Sequence, residues 1–137
     1  MKLQESGENY LEAILVLEKQ KEAVHSVDVG AYLGFSKPSV SRAMGILKHT
    51  GHIAMAQDGA LTLTQTGREQ ALRIYERHQL LTDYLVALGV DRAVAVADAC
   101  RIEHVISEES FAHIKAYASA HLPGLREGVR AGRDLEA

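Results

Sequence analysis

Ser36-Lys37-Pro38-Ser39-Val40-Ser41-Arg42 stands ten residues ahead of Ile53-Ala54-Met55-Ala56-Gln57-Asp58-Gly59-Ala60-Leu61-Thr62-Leu63. The first stretch reads as the start of a helix. Ser36 is a good N-cap, and Pro38 falls in the first turn, where a missing N–H costs nothing. Val40, Met44 and Leu47 line one face, and Thr50-Gly51 ends the helix. The second stretch reads as a short β-ribbon over 52–57 and 60–64. Ile53, Met55, Leu61 and Leu63 alternate there with small or polar residues. Asp58-Gly59 suits a two-residue hairpin turn, whose central positions both need positive φ.

Upstream, residues 7–21 carry Leu11, Ile14, Leu15 and Glu18 at helical spacing, an apolar stripe that ends at a charge. Lys19, Gln20, Lys21 and Glu22 form a polar exit. Ser26 suits the N-cap of a second helix, with Asp28 in its first turn near the positive dipole end and Gly34 closing it. Helix, glycine-containing turn, helix and ribbon make the winged helix-turn-helix plan, in which the second helix of the pair enters a DNA major groove by its N-terminal end. The residue types suit that task. Ser36 and Ser39 can hydrogen bond to a phosphate or a base edge, Pro38 offers an apolar contact to a thymine methyl, and Arg42 can reach guanine or phosphate. Lys48 and the ribbon tip lie where a wing would track the DNA backbone. The candidate DNA-contacting set is Ser36, Lys37, Pro38, Ser39, Ser41, Arg42 and Lys48. The plainer alternative is that the helix pair and hairpin only pack.

The chain has 137 residues, 47% hydrophobic and 24% charged, which fits one domain or two small ones sharing a core. Its net charge of −3 conceals an asymmetry: residues 25–68 carry a balance of +2 and the remainder −5. Local positive charge, not a basic whole, is what a DNA-binding surface needs. The single cysteine excludes an intrachain disulfide framework and fits a reduced, cytoplasmic setting. No apolar run reaches the ~18 residues of a membrane-spanning helix, and the acidic, polar N-terminus does not read as a signal peptide. There is no internal repeat.

Downstream, Thr66-Gly67 leads into a long helix over about 65–88, with Leu72, Tyr75, Leu81, Leu85 and Leu88 on its apolar side and Gly89 stopping it. Asp91 starts another helix that runs to about 106. Ser107 caps a last one, with Glu108 and Glu109 in its first turn, ending near Leu122-Pro123-Gly124. Residues 125–137 read as a frayed helix or tail. The expected fold is mainly α, with a winged helix-turn-helix domain over 1–70 and a helical domain over 71–124. The apolar faces of 91–120 suggest a homodimer, with Leu81, Leu85, Ile106, Phe111, Ile114 and Tyr117 largely buried within a protomer or between two.

Cys100, Glu103 and His104 fall at i, i+3, i+4, so that one helical face would carry a thiol, a carboxylate and an imidazole. These are three metal-ligand types on one element. The first helix offers Asn9 and Glu12, and the long helix offers His78. Blander readings stand beside this one: a lone cysteine is often a small buried hydrophobe, and a helical Glu-His pair is often solvated surface. A nucleophilic Cys-His enzyme would need an orienting third group and an oxyanion hole, and neither is visible.

Five motifs in order then resemble the diphtheria toxin repressor and manganese transport regulator family of metal-dependent repressors. They are Glu8-Asn9-Tyr10-Leu11-Glu12-Ala13-Ile14, Ser36-Lys37-Pro38-Ser39-Val40-Ser41, Leu63-Thr64-Gln65-Thr66-Gly67-Arg68, Arg77-His78-Gln79-Leu80-Leu81 and Ala99-Cys100-Arg101-Ile102-Glu103-His104-Val105. The similarity covers about residues 5–120. It implies a winged helix joined by the long helix to a dimerisation domain, without the C-terminal β-barrel domain of the larger members. It also implies a divalent transition metal as cofactor and double-stranded operator DNA as partner. Cys100, Glu103 and His104 match ligands of the iron-type members, whereas Glu12 and His78 match second-metal ligands of the manganese type. Asn9 stands where the iron type has methionine and the manganese type aspartate; its amide oxygen is a competent, neutral ligand. The iron type's ancillary glutamate and histidine fall on Thr82 and Val96, which cannot ligate as needed. The chain is thus a hybrid. A thiolate disfavours Mn²⁺ relative to Fe²⁺, Co²⁺, Ni²⁺ or Zn²⁺, so Fe²⁺ is the expected ion and Mn²⁺ the second. In this scheme the ion ties the two domains together and favours the DNA-binding geometry. The rival function is a metal-independent winged-helix regulator whose second half only dimerises or senses an organic ligand.

Overall fold

In the computed structural model, which describes residues 5–122, the elements follow the order α1 (Glu5–Leu17), α2 (Ser26–Leu33), α3 (Lys37–His49), β1 (Ile53–Met55), β2 (Leu61–Leu63), α4 (Gln65–Ala87), α5 (Arg92–Ile102) and α6 (Glu108–His121). This is the expected mainly α architecture. The chain forms two units, which meet between Leu72 and Arg73 within α4. Residues 125–137, read from sequence as a frayed helix or tail, lie outside the described residues. Among the described residues no helix is long and apolar enough to cross a membrane.

The first unit is built on α1, which packs on α2, α3 and β2. Leu11, Ile14, Leu15, Val29, Val40, Met44 and Leu47 are buried at its centre. Removing such side chains from water supplies roughly 1.5–3 kcal/mol each, the main drive for a helix pair this short. α1 stops at Leu17 rather than continuing to 21. The polar run Lys19-Gln20-Lys21-Glu22 has nothing to bury, and the chain must leave the helix for Val24 to bridge Leu61, whose N–H donates to the Val24 carbonyl at 2.7 Å. α2 is capped one residue earlier than expected, at His25, whose backbone N–H donates to Asp28 Oδ2 at 2.9 Å. That bond, together with Lys21 at 3.4 Å, holds the Asp28 carboxyl below its ordinary pKa. Gly34 closes α2 in the left-handed region at φ +73°. Ser36 caps α3 by accepting the Ser39 N–H.

β1 and β2 pair antiparallel, Ile53 opposite Leu63 and Met55 opposite Leu61. The strands are shorter than the sequence suggests, because the turn differs. Among the described residues no non-glycine has positive φ, so Asp58 does not adopt the conformation of a two-residue turn. Instead the Gly59 N–H donates to the Ala56 carbonyl and the Ala56 N–H to the Ala60 carbonyl, both at 2.9 Å, with Gly59 at φ +90°. This is a three-residue loop, Gln57-Asp58-Gly59, closed by a glycine bulge. Asp58 Oδ1 accepts the Ala60 N–H and fixes the bend.

In the second unit, Leu80, Leu81, Ala99, Phe111 and Ala118 form the core, flanked by half-buried Tyr84, Ile102, Ile106, Ile114 and Leu122. Asp91 caps α5 and Ser107 caps α6, as their residue types suggest. α5 ends at Ile102, four residues early. Of the residues expected to be buried, Leu81 and Phe111 are, Leu85, Ile106 and Ile114 are half-buried, and Tyr117 is 54% exposed.

One glycine is dictated by proximity. A Cβ on Gly67, in the first turn of α4, would sit 1.9 Å from the His52 carbonyl oxygen. The same junction is tied by Thr64, whose hydroxyl donates to the Gly51 carbonyl at 2.6 Å and accepts the Gly67 N–H at 3.1 Å. Gly67→Ala should therefore destabilise the first unit by about 3 kcal/mol, since backbone must move on one side or the other. Chemical denaturation checks this; a midpoint equal to wild type would refute the close approach.

Candidate metal centre

His78 projects from the middle of α4, Cys100 from the last turn of α5, and Glu103 is the C-cap residue of α5. One ligand atom from each lies within 4.8 Å of the others. His78 Nδ1 is 2.8 Å from Glu103 Oε1 and 3.8 Å from Cys100 Sγ. A carboxylate oxygen only accepts, so Nδ1 carries the proton in this pair. Cys100 is exposed, His78 is largely covered and Glu103 is fully buried. The two acceptors raise the His78 pKa from 6.5 to about 10, the Cys100 contact contributing most and the Glu103 contact next, against the opposing effect of burial.

Glu103 is the unusual member. Its Oε2 is buried and has no hydrogen-bond partner. The buried ring of His104 lies beside it, with Nε2 at 3.4 Å and without hydrogen-bond geometry. A buried carboxylate oxygen left unmet costs several kcal/mol unless a positive charge compensates it. Thiolate, imidazole and carboxylate together are the donor set of a divalent transition metal, and the open face at Cys100 provides access.

The expected single helical face is corrected in one respect. Glu103, the C-cap, keeps helical dihedrals, donates its N–H to the Ala99 carbonyl and stays beside Cys100, whereas α5 ends at Ile102 and His104 lies in the following turn. Arg77 is the reason. Its Nη1 donates to the carbonyls of Glu103 at 3.0 Å and Ile106 at 2.8 Å, and its guanidinium lies 5.4 Å from the Phe111 ring centroid. Those carbonyls find their partner in Arg77 and not in a further helical turn. Sequence reasoning assigned Arg77 no role, although a signal existed: Ile74, Arg77 and Leu81 share one stripe of α4, and a charge on an apolar stripe asks for a partner. Asn9 and Glu12 lie on α1 in the first unit, both half-buried.

In the first unit, Ser36, Lys37, Pro38, Ser39, Ser41, Arg42 and Lys48 are all exposed, while Val40, Met44 and Leu47 turn inward. α3 therefore presents the whole candidate DNA-contacting set on its outer side. Two family models match in tandem: the iron dependent repressor N-terminal DNA binding domain over residues 2–61, and the iron dependent repressor metal binding and dimerisation domain over residues 64–120. The chain belongs to the iron-dependent repressor family. It is 32% identical over 114 residues to the transcriptional regulator MntR of Escherichia coli, covering 83% of this chain and 74% of that protein. It is 32% identical over 108 residues to the diphtheria toxin repressor of Corynebacterium diphtheriae, covering 78% of this chain and 48% of that protein. A solved manganese-dependent transcriptional repressor in complex with manganese matches with a TM-score of 0.71 and 29% identity, over 81% of this chain and 51% of that one. The chain thus spans about half the length of the longer members. This repressor family consists of metal-dependent transcriptional regulators, and the chain is a regulator of that kind, not an enzyme.

The raised pKa of His78 has a consequence for the metal-free repressor. Its proton is held more tightly in the folded chain than in the unfolded one, so the stabilisation is complete below pH 6.5, declines above it and is lost above about pH 10. The metal-free chain should lose stability steadily across that interval, and His78→Gln should flatten the slope. Denaturation midpoints measured in the presence of a chelator check this; equal slopes for the two proteins would refute it.

Proposed function

We propose that the chain is a repressor whose tight binding to double-stranded operator DNA requires a divalent transition metal held by His78, Cys100 and Glu103, with His104 as a further donor. The observation that carries this reading is the buried, unmet Glu103 Oε2 beside an imidazole and an accessible thiol. His78, Cys100 and Glu103 would hold the ion, which would supply the positive charge they lack, and His78 would ligate without its Nδ1 proton. The chain's own residues do the rest. α4 supplies the imidazole, α5 the thiolate, and the Glu103 carboxylate bridges toward both imidazoles. The soft thiolate favours Fe²⁺ over Mn²⁺, with Zn²⁺, Co²⁺ and Ni²⁺ able to bind in vitro. The proposed role is control of metal-homeostasis genes in the cytoplasm, in keeping with the metal-dependent regulators that the chain resembles.

The DNA-contacting residues are those at the start of α3. Ser36 and Ser39 offer hydroxyls, Pro38 an apolar edge, and Arg42 a fork suited to guanine, one turn into the helix. Lys37, Ser41 and Lys48 contact phosphate and set the register. A homodimer presents two such helices to successive major-groove faces. Its interface draws on the exposed apolar side chains of the second unit, among them Val94, Val105 and Tyr117.

The metal reading is tested with Co²⁺ and with the operator selected from random duplexes. A thiolate-to-Co²⁺ charge-transfer band should appear in the wild type and vanish in Cys100→Ala, with loss of metal-activated DNA binding. Cys100→Asp should restore activation and move preference toward Mn²⁺. A Cys100→Ala protein that still represses normally with metal would overturn the assignment. Arg42→Ala should reduce discrimination between operator and random DNA by about 1–3 kcal/mol. Lys48→Ala should weaken both alike and lower the salt slope by about 1. Equal loss on both sequences from Arg42→Ala would reassign Arg42 to phosphate.

A further inference from the structure

We propose that Arg77 is a positioning residue for the metal cluster, acting through the backbone of Glu103; this rests on the metal reading above. Arg77 and His78 are consecutive on α4, and both hold the same residue. Arg77 Nη1 donates to the Glu103 carbonyl at 3.0 Å, while His78 Nδ1 donates to the Glu103 carboxylate at 2.8 Å. Glu103 is thereby fixed at its main chain and at its side chain by one turn of one helix.

The location of Arg77 is costly unless it has a task. The residue is only 6% exposed, and its Nε has no hydrogen-bond partner. Its nearest carboxylate, Glu108 Oε1, is 4.0 Å from Nη2, beyond hydrogen-bond reach. The charge is instead directed at two carbonyls of the turn after α5, those of Glu103 and Ile106, with the Phe111 ring against the guanidinium. Two carbonyl oxygens three residues apart are met by a charged group rooted in α4, which a neutral hydrogen bond would hold less firmly. The consequence is that α5 ends at Ile102 and Glu103 occupies its C-cap, with the carboxylate facing His78 and Cys100. Arg77 thus sets the place of the one carboxylate donor without contacting a metal.

The test uses the full chain and Co²⁺ alone. Arg77→Lys keeps the charge but loses the planar fork; Arg77→Met loses both. Ala118→Gly, in the core of the same unit and away from the cluster, serves as a match for lost stability. Both Arg77 variants should weaken Co²⁺ binding about tenfold to a hundredfold. They should keep the thiolate charge-transfer band, because Cys100 remains on α5, and change the d–d bands, because the Glu103 donor is displaced. Ala118→Gly should lower the denaturation midpoint and leave Co²⁺ affinity and bands as in the wild type. Where Arg77→Met fails to fold, Arg77→Lys decides. Wild-type affinity and bands in Arg77→Lys would overturn the proposal, as would an equal loss of affinity in Ala118→Gly at equal loss of stability. In either case a normal wild-type band leaves the metal reading standing. Absence of the band from the wild type sinks that reading and this proposal together.

Discussion

The second unit is organised around a carboxylate that has been taken out of water. Glu103 is fully buried, one oxygen bonded to His78 and the other unmet, and its carbonyl is held by Arg77. A carboxylate in this position is tolerated only because charged groups surround it. That constraint determines where α5 stops, where the turn over 103–106 runs and where α6 can begin at its Ser107 cap. After the Cys100 contact, which contributes most, it also raises the His78 pKa to about 10 in the metal-free chain. The arrangement is electrostatically unfinished, and on the proposed reading a divalent ion held by the thiol, the imidazole and the carboxylate would complete it.

The first unit solves a different problem with ordinary means. Its helices are short, and their stability comes from buried apolar faces and from caps that satisfy terminal N–H groups. On α3 the division is sharp. Val40, Met44 and Leu47 face the core, and every hydroxyl or cationic side chain in the candidate DNA-contacting set faces outward. Local caps and turns, not long-range ion pairs, set the helix boundaries, although Arg68 does reach Glu18 at 2.8 Å and ties the first turn of α4 to the end of α1.

Most element identities were legible because the signals are local. Ser36, Ser107 and Asp91 act as caps through a side chain that reaches a backbone N–H two or three residues away, and Gly34 ends α2 because only glycine adopts φ +73° without strain. The misreadings share the opposite character. The hairpin turn follows the pairing of Ala56 with Ala60, not the Asp-Gly dipeptide alone. α1 ends at Leu17 because Val24 is needed beside Leu61, a residue far along the chain. α5 is short because a side chain on α4 takes the carbonyls that would continue it.

The candidate site divides along the same line. Residue types and spacing by themselves identified Cys100, Glu103, His104 and His78 as potential ligands, and the start of α3 as a candidate DNA-contacting surface. They did so because donor chemistry and helical periodicity are properties of the local chain. Only the tertiary structure decided that His78 joins Cys100 and Glu103 in one cluster, that His104 stands off the helix, and that Glu103 keeps an unmet oxygen. It alone assigned Arg77 to the carbonyls of Glu103 and Ile106. Burial and the partner of a charge depend on which segments meet across 25 or more residues of chain, and no periodicity within a helix encodes that meeting.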